Sequence, residues 1–140
     1  MMNQILLASH GELAKGMLQT VSMLIGELDN IHAFSSYRDD EAGLLYQMNE
    51  KINSFNKNDK IYILSDIFGG SVNNEILTLL NKPNITLITG MNLMLVVGIA
   101  TQAERISDDE LARIIQESQQ GIINCNTLLE KNTNTEGDDL

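Results

Sequence analysis

The chain has 140 residues, which predicts one domain with no need of a cofactor, because a chain of this size buries about two thirds of its unfolded surface. The 9 basic and 19 acidic residues give a net charge of -10, which would repel nucleic acid and anionic membrane. No apolar stretch approaches the roughly 20 residues that span a bilayer, and the first residues lack the basic region of a secretory signal. We therefore expect a cytoplasmic protein that neither inserts into a membrane nor binds nucleic acid.

The first β-α unit puts a histidine in a strand-to-helix turn. The apolar run of residues 5–8 predicts a buried parallel strand, and residues 12–28 carry apolar side chains at the spacing of one helix face. His10 lies between the two, next to Ser9. Open α/β sheets bind ligands beyond the carboxyl ends of their strands, so a site is predicted at this turn.

The same alternation continues along the next part of the chain. Acidic residues 39–41 suit a helix N-terminus, and the helix that they open reaches Phe55. Further strands are predicted at residues 31–34, 60–64 and 85–89, and further helices at residues 72–80 and 93–103.

The last third of the chain predicts one more helix, a short strand and a tail. Ser107 and Glu110 have capping-box spacing, and Gly121 ends the helix that they open. Residues 122–125 could form a fifth strand, which would include the single cysteine, Cys125; with no second cysteine or histidine at ligand spacing, neither a disulfide nor a metal site is expected. We assign residues 1–130 to the domain and the polar residues 131–140 to a disordered tail.

Alternating strands and helices predict a doubly wound α/β domain with a mainly parallel sheet. Of the two common strand orders, we infer 2-1-3-4 with a C-terminal edge strand. This order sets strand 1 beside strand 3, with a ligand crevice between their carboxyl ends. His10 and Asp66 lie two residues beyond those ends, so we expect them to face each other.

The residues at this crevice have a coherent chemistry. A neutral imidazole offers one lone pair and one N–H, and Asp66 accepting that N–H would fix which nitrogen of His10 attacks. Gly69, Gly70 and Ser71 lead into a helix N-terminus, where backbone N–H groups bind anions without a lysine. The combination predicts a phosphohistidine carrier; the competing interpretation is that Gly69-Gly70-Ser71 is only a tight turn and Asp66 only an acidic residue at a helix start.

Three motifs of the chain resemble the enzyme IIA domain of the mannose family of the bacterial phosphoenolpyruvate-dependent sugar phosphotransferase system. They are His10-Gly11-Glu12-Leu13-Ala14-Lys15-Gly16, Asp66-Ile67-Phe68-Gly69-Gly70-Ser71 and Gly90-Met91-Asn92-Leu93. The resemblance implies that His10 is phosphorylated, that Asp66 binds its other nitrogen, and that the backbone around Gly70 and Ser71 holds the phosphoryl oxygens. It also implies the phosphocarrier protein HPr as donor and an enzyme IIB component as acceptor. Family members are homodimers that exchange a C-terminal edge strand, which residues 122–125 would supply.

Some features depart from the family or leave alternatives open. Val72 and Met94 stand where members often have proline. Ser9 is a possible pocket residue, and Asn92 either caps the following helix or contacts the phosphoryl group. The alternative functions are the phosphoryl-donor subunit of a dihydroxyacetone kinase and a regulatory module switched by phosphorylation. The sugar and the particular enzyme IIB are not specified by the sequence.

Overall fold

The computed structural model describes residues 2–37, 43–67 and 70–134. Its centre is one sheet of four parallel strands in the order β2-β1-β3-β4, as predicted. The strands are β1 (Asn3–His10), β2 (Ile31–Ser36), β3 (Lys60–Ser65) and β4 (Ile85–Thr89). The helices are α1 (Leu13–Ile25), α2 (Leu44–Asn53), α3 (Ser71–Ile76), α4 (Leu93–Ala100), α5 (Asp108–Gln120) and α6 (Cys125–Asn134).

Helices cover both faces of the sheet, which explains why its inner strands are continuous apolar runs. In β1, Ile5 and Leu7 pack on the face covered by α1, α4 and α5, whereas Leu6 and Ala8 pack on the face covered by α2 and α3. All four side chains are fully buried. The two cores hold β1 and β3 side by side and therefore fix the crevice between their carboxyl ends.

Local signals define most helix boundaries. Ser107 accepts a hydrogen bond from the Glu110 N–H and caps α5, as the capping-box spacing predicted. Helix α1 is shorter than predicted because Gly26, at φ 86°, ends it two residues before Leu28. The predicted helix 72–80 is divided into α3 and a single 3-10 turn, Leu77–Leu79, and α4 ends at Ala100 rather than at residue 103.

The prediction of a fifth strand at residues 122–125 is wrong for this chain. Helix α6 begins at Cys125 and continues to Asn134, past the boundary placed after residue 130. The missed signal is Asn124, whose side-chain oxygen accepts a hydrogen bond from the Thr127 N–H and so caps the helix. A strand at residues 122–125 would also have to pair with a neighbouring strand. The edge strand β4 is the expected neighbour, and among the described residues it pairs only with β3. Residues 135–140 of the predicted tail lie outside the described residues.

Within the described ranges, no helix is long and apolar enough to cross a bilayer.

Candidate functional site

Two adjacent strands bring the predicted pair together. Ala8 of β1 lies opposite Ser65, the last residue of β3. Strand β1 continues two residues further than predicted and ends at His10, which still pairs with Ser36 of β2, so His10 and Asp66 lie side by side at the carboxyl edge of the sheet. Gly11 adopts φ 55°, a left-handed conformation that favours glycine, and its N–H donates to the Ser36 carbonyl at 2.8 Å. The chain therefore turns sharply after His10 and leaves the imidazole at the carboxyl edge of the sheet.

Asp66 holds His10 through both its backbone and its ring. One carboxylate oxygen, Oδ2, lies 2.9 Å from the His10 backbone nitrogen and 2.8 Å from Nδ1. The other oxygen accepts the Ile67 N–H at 2.9 Å. An ionised carboxylate only accepts hydrogen bonds, so Nδ1 carries the proton. In the neutral ring, Nε2 is then the nitrogen with the lone pair.

The environment keeps Asp66 ionised. Partial burial acts to raise the pKa of this carboxyl group, but the hydrogen bonds from the His10 backbone and ring, the charge of the imidazole and the Ile67 N–H outweigh it. The pKa of Asp66 therefore lies below its usual value of 3.8. Its side chain is 11% exposed, whereas that of His10 is 49% exposed. The orienting group is enclosed while the imidazole remains accessible to a partner.

Ser71 faces the opposite nitrogen of the ring. Its hydroxyl oxygen lies 3.0 Å from His10 Nε2 and, with the proton on Nδ1, donates to the Nε2 lone pair. Ser71 is the first residue of α3, whose N-cap, Gly70, has no side chain to occupy the first N–H groups of the helix. A hydroxyl and helix-end N–H groups thus adjoin the nitrogen that would attack.

Gly70 permits the close approach between α3 and the imidazole. A Cβ at this position would stand 3.2 Å from His10 Cε1 and 2.9 Å from Ile67 Cγ2, closer than side-chain carbons normally pack. Gly70 has an ordinary extended conformation, so space rather than backbone strain requires a glycine there. Gly69, the other predicted glycine of the pocket, lies outside the described residues.

A cavity of about 560 Å³ opens over the ring and is lined by His10, Gly11, Ser36, Tyr37 and Ser71. None of these described lining residues is a lysine or an arginine. Tyr37, which the sequence reasoning missed, donates its hydroxyl proton to the Glu12 carboxylate at the rim. Its position directly after β2, at the same edge as His10, is the signal that could have identified it.

The two remaining predicted pocket residues have structural partners. The Ser9 side chain is fully buried, and its oxygen accepts the Ala14 N–H at 2.7 Å at the start of α1. Asn92 caps α4 by accepting the Leu95 N–H at 2.9 Å, and its amide donates to the Ser118 carbonyl at 3.0 Å. Of the two roles left open for Asn92, the geometry favours helix capping.

The site therefore contains an imidazole of fixed orientation, an ionised carboxylate beside one of its nitrogens, and a neutral hydroxyl donor beside the other. Phosphoryl transfer to Nε2 matches this set, because the incoming group carries oxygens for the neutral donors to bind. No group of three or more potential metal ligands occurs in the part of the chain that the structure describes.

Known proteins share this fold and sequence pattern. Residues 4–116 match the model of the PTS system fructose IIA component family, EIIA-man. A structure from Klebsiella pneumoniae subsp. pneumoniae MGH 78578, described as a phosphoenolpyruvate-dependent sugar phosphotransferase system permease, is 30% identical; the alignment covers 92% of this chain and 95% of that one, with a TM-score of 0.83. The PTS IIA protein associated with the fucose utilization operon of Streptococcus pneumoniae is 26% identical, with coverages of 91% and 96% and a TM-score of 0.80.

A third structure shows the same fold at lower identity. The mannose/sorbose-specific IIA subunit from Enterococcus faecalis is 23% identical, with coverages of 89% and 95% and a TM-score of 0.74. The family match extends over both strands that carry the His10 and Asp66 site. The chain therefore belongs to the mannose-family enzyme IIA components of the sugar phosphotransferase system.

Proposed function

We propose that this chain carries a phosphoryl group on Nε2 of His10, receives it from HPr and passes it to an enzyme IIB component during sugar uptake. The observation that carries the proposal is that the two nitrogens of the His10 ring have different partners: the Asp66 carboxylate binds Nδ1 at 2.8 Å, and the Ser71 hydroxyl lies 3.0 Å from Nε2. Only Nε2 is then free to act as a nucleophile.

The transfer step balances within this arrangement. The Nε2 lone pair attacks phosphorus, the N–P bond of the donor breaks, and its electron pair stays on the donor nitrogen. The His10 ring keeps its Nδ1 proton and becomes positively charged, which the adjacent Asp66 carboxylate offsets. Onward transfer to enzyme IIB is the same exchange in reverse.

Neutral donors would hold the transferred group. The Ser71 hydroxyl turns from Nε2 to a phosphoryl oxygen once Nε2 is bonded, and the N–H groups that follow Gly70 bind the remaining oxygens. This suits a chain of net charge -10, because no lysine or arginine belongs to the described lining of the cavity. The proposal extends to a cytoplasmic location and to a homodimer.

The test is labelling with radioactive phosphoenolpyruvate in the presence of enzyme I and HPr. We expect one label for each wild-type chain and none on His10→Ala. The matched control is His32→Ala, which changes the only other histidine of the chain and leaves the crevice intact. Labelling of His10→Ala at the wild-type level would contradict the proposal.

Onward transfer separates a carrier from a regulatory module. Labelled protein mixed with the enzyme IIB of a neighbouring permease should lose its phosphoryl group to that protein. Stoichiometric labelling without transfer to enzyme IIB, or to the dihydroxyacetone kinase subunits, would instead indicate a module switched by phosphorylation.

A further inference from the structure

A buried hydrogen bond lies directly beneath the two residues that hold the His10 ring. The Ser65 hydroxyl donates to the side-chain oxygen of Asn73 at 2.7 Å. Ser65 is fully buried and Asn73 is 1% exposed, so neither group contacts a partner or a phosphoryl group. Sequence reasoning predicted no role for either residue.

The position of this bond along the chain is its important feature. Ser65 is the last residue of β3 and immediately precedes Asp66, whereas Asn73 lies in the first turn of α3, two residues after Ser71. The bond therefore joins the segment that presents the carboxylate to the segment that presents the hydroxyl. The imidazole of His10 is held between these two groups.

The two segments differ in how firmly the rest of the structure holds them. Ser65 is anchored in the sheet, where it pairs with Ala8 and Thr89, and its carbonyl accepts the Met91 N–H at 2.9 Å. Helix α3 has only six residues, a length that is not stable by itself, so its place depends on packing: Val72 and Ile76 are buried in the core, and Asn73 ties its first turn to β3. The buried bond thus fixes the first turn of a weak helix to a rigid strand.

We propose that Ser65 and Asn73 are positioning residues, whose hydrogen bond keeps the Ser71 hydroxyl within reach of Nε2 while Asp66 holds Nδ1. The claim that the bond positions Ser71 depends only on the geometry of the unphosphorylated chain. The claim that this positioning speeds phosphoryl transfer rests on the proposed function. A buried pair suits this role because a hydrogen bond enclosed in the core is not exchanged for water.

The experiment compares two variants that break the bond with two that remove a hydrogen bond of a buried residue elsewhere. Ser65→Ala removes the donor and Asn73→Leu removes the acceptor. The controls are Ser118→Ala, which removes a 2.7 Å bond to the Ile115 carbonyl, and Asn3→Leu, which removes a 2.7 Å bond to the Glu104 carbonyl. Both control side chains are buried and belong to neither the crevice nor α3.

The first measurement needs no phosphorylation. At about pH 8.5, where an ordinary imidazole is neutral, ¹⁵N NMR reports the hydrogen bond that Nε2 accepts. Ser71→Ala defines the signal of an Nε2 without its donor. We expect Ser65→Ala and Asn73→Leu to move the Nε2 resonance toward that signal, and the two controls to leave it at the wild-type value.

The second measurement is the rate of labelling through HPr. We expect the two variants to be about tenfold slower than the controls, since small displacements of a reacting group cost rates of that order or more. Ser65→Thr keeps the hydroxyl and adds a methyl group in a packed place, so it should lose stability but retain the wild-type Nε2 resonance and rate.

A wild-type Nε2 resonance and a control-like rate in both variants, with lower stability alone, would overturn the proposal. If either Ser65→Ala or Asn73→Leu fails to fold, the remaining variant and Ser65→Thr still show whether loss of the bond changes the Nε2 resonance and the labelling rate. Failure of the carrier function itself is recognised separately, because the wild-type chain would then take no label while the Nε2 measurement remains valid.

Discussion

At the scale of single residues, the surroundings of His10 decide which of its ring nitrogens can react. Asp66 uses one carboxylate oxygen for both the backbone N–H and Nδ1 of His10, which fixes the position of the ring and which of its nitrogens carries the proton in the neutral form. Hydrogen bonds lower the pKa of this carboxyl group despite its partial burial, so the constraint persists to acidic pH. The half-exposed imidazole of His10 is therefore oriented by a carboxylate that is itself largely enclosed.

Asp66→Asn tests this preparation. Asparagine has one acceptor oxygen and no charge, so it cannot accept from both His10 and Ile67 and cannot offset the positive charge of the phosphorylated ring; we therefore expect labelling through HPr to be about 100-fold slower or more. The folded-state pKa of Asp66 is lowered, so its contribution to stability is present above about pH 4 and is lost as the pH falls through the folded-state value. The free energy of unfolding of the variant, measured with urea at a series of pH values, should accordingly fall less steeply below about pH 4 than that of the wild-type chain.

The matched control for this variant is Asp109→Asn, which changes an exposed aspartate in the first turn of α5. It should label at the wild-type rate. Equal rates for Asp66→Asn and Asp109→Asn would reduce Asp66 to a purely structural residue.

At the scale of elements, the periodic apolar patterns of the sequence predicted most strands and helices, whereas the start of α6, which depends on a single capping side chain, was missed. Apolar runs and helical spacing predicted four strands and five of the six α-helices among the described residues, whereas the strand order was inferred as one of two common doubly wound orders. The error at residues 122–125 arose because Ile122 and Ile123 fit a strand as well as a helix entry, and the cap at Asn124 decides between them. The Ser65–Asn73 bond could not be predicted, because two polar residues near a turn do not show that they face each other.

Asn92 offers a test at this scale, because it joins two helices. Asn92→Ala removes the cap of α4 and the bond to the Ser118 carbonyl, so we expect the free energy of unfolding to fall by about 1–2 kcal/mol, measured by urea unfolding. Asn92→Asp keeps the cap acceptor and loses only the amide donor, so it should lose less. The labelling rate should not change in either variant, and a slower rate would instead indicate that Asn92 contacts the phosphoryl group.

At the scale of the whole molecule, the described polar groups of the candidate site lie at one edge of the sheet, while the C-terminal segment is exposed. Every residue from 121 to 131 is exposed, and Ile122 and Ile123 are 83% and 55% exposed. A ten-residue helix with an exposed surface of this kind is marginal in water. Large exposed apolar side chains together with a free outer edge of β4, among the described residues, favour association with a second copy.

We therefore expect the full chain to be a homodimer and a chain ending at Gly121 to be a monomer, as measured by sedimentation equilibrium. The shortened chain should remain folded, with a circular dichroism spectrum that lacks only the helical signal of α6, and should keep its label on His10, because the two cores and the crevice use no residue beyond α5. Ile122→Asp in the full chain serves as the control for deletion itself, since a charge at so exposed a position should weaken the dimer without affecting the fold. A dimer of unchanged strength in both altered chains would place the interface elsewhere on the molecule.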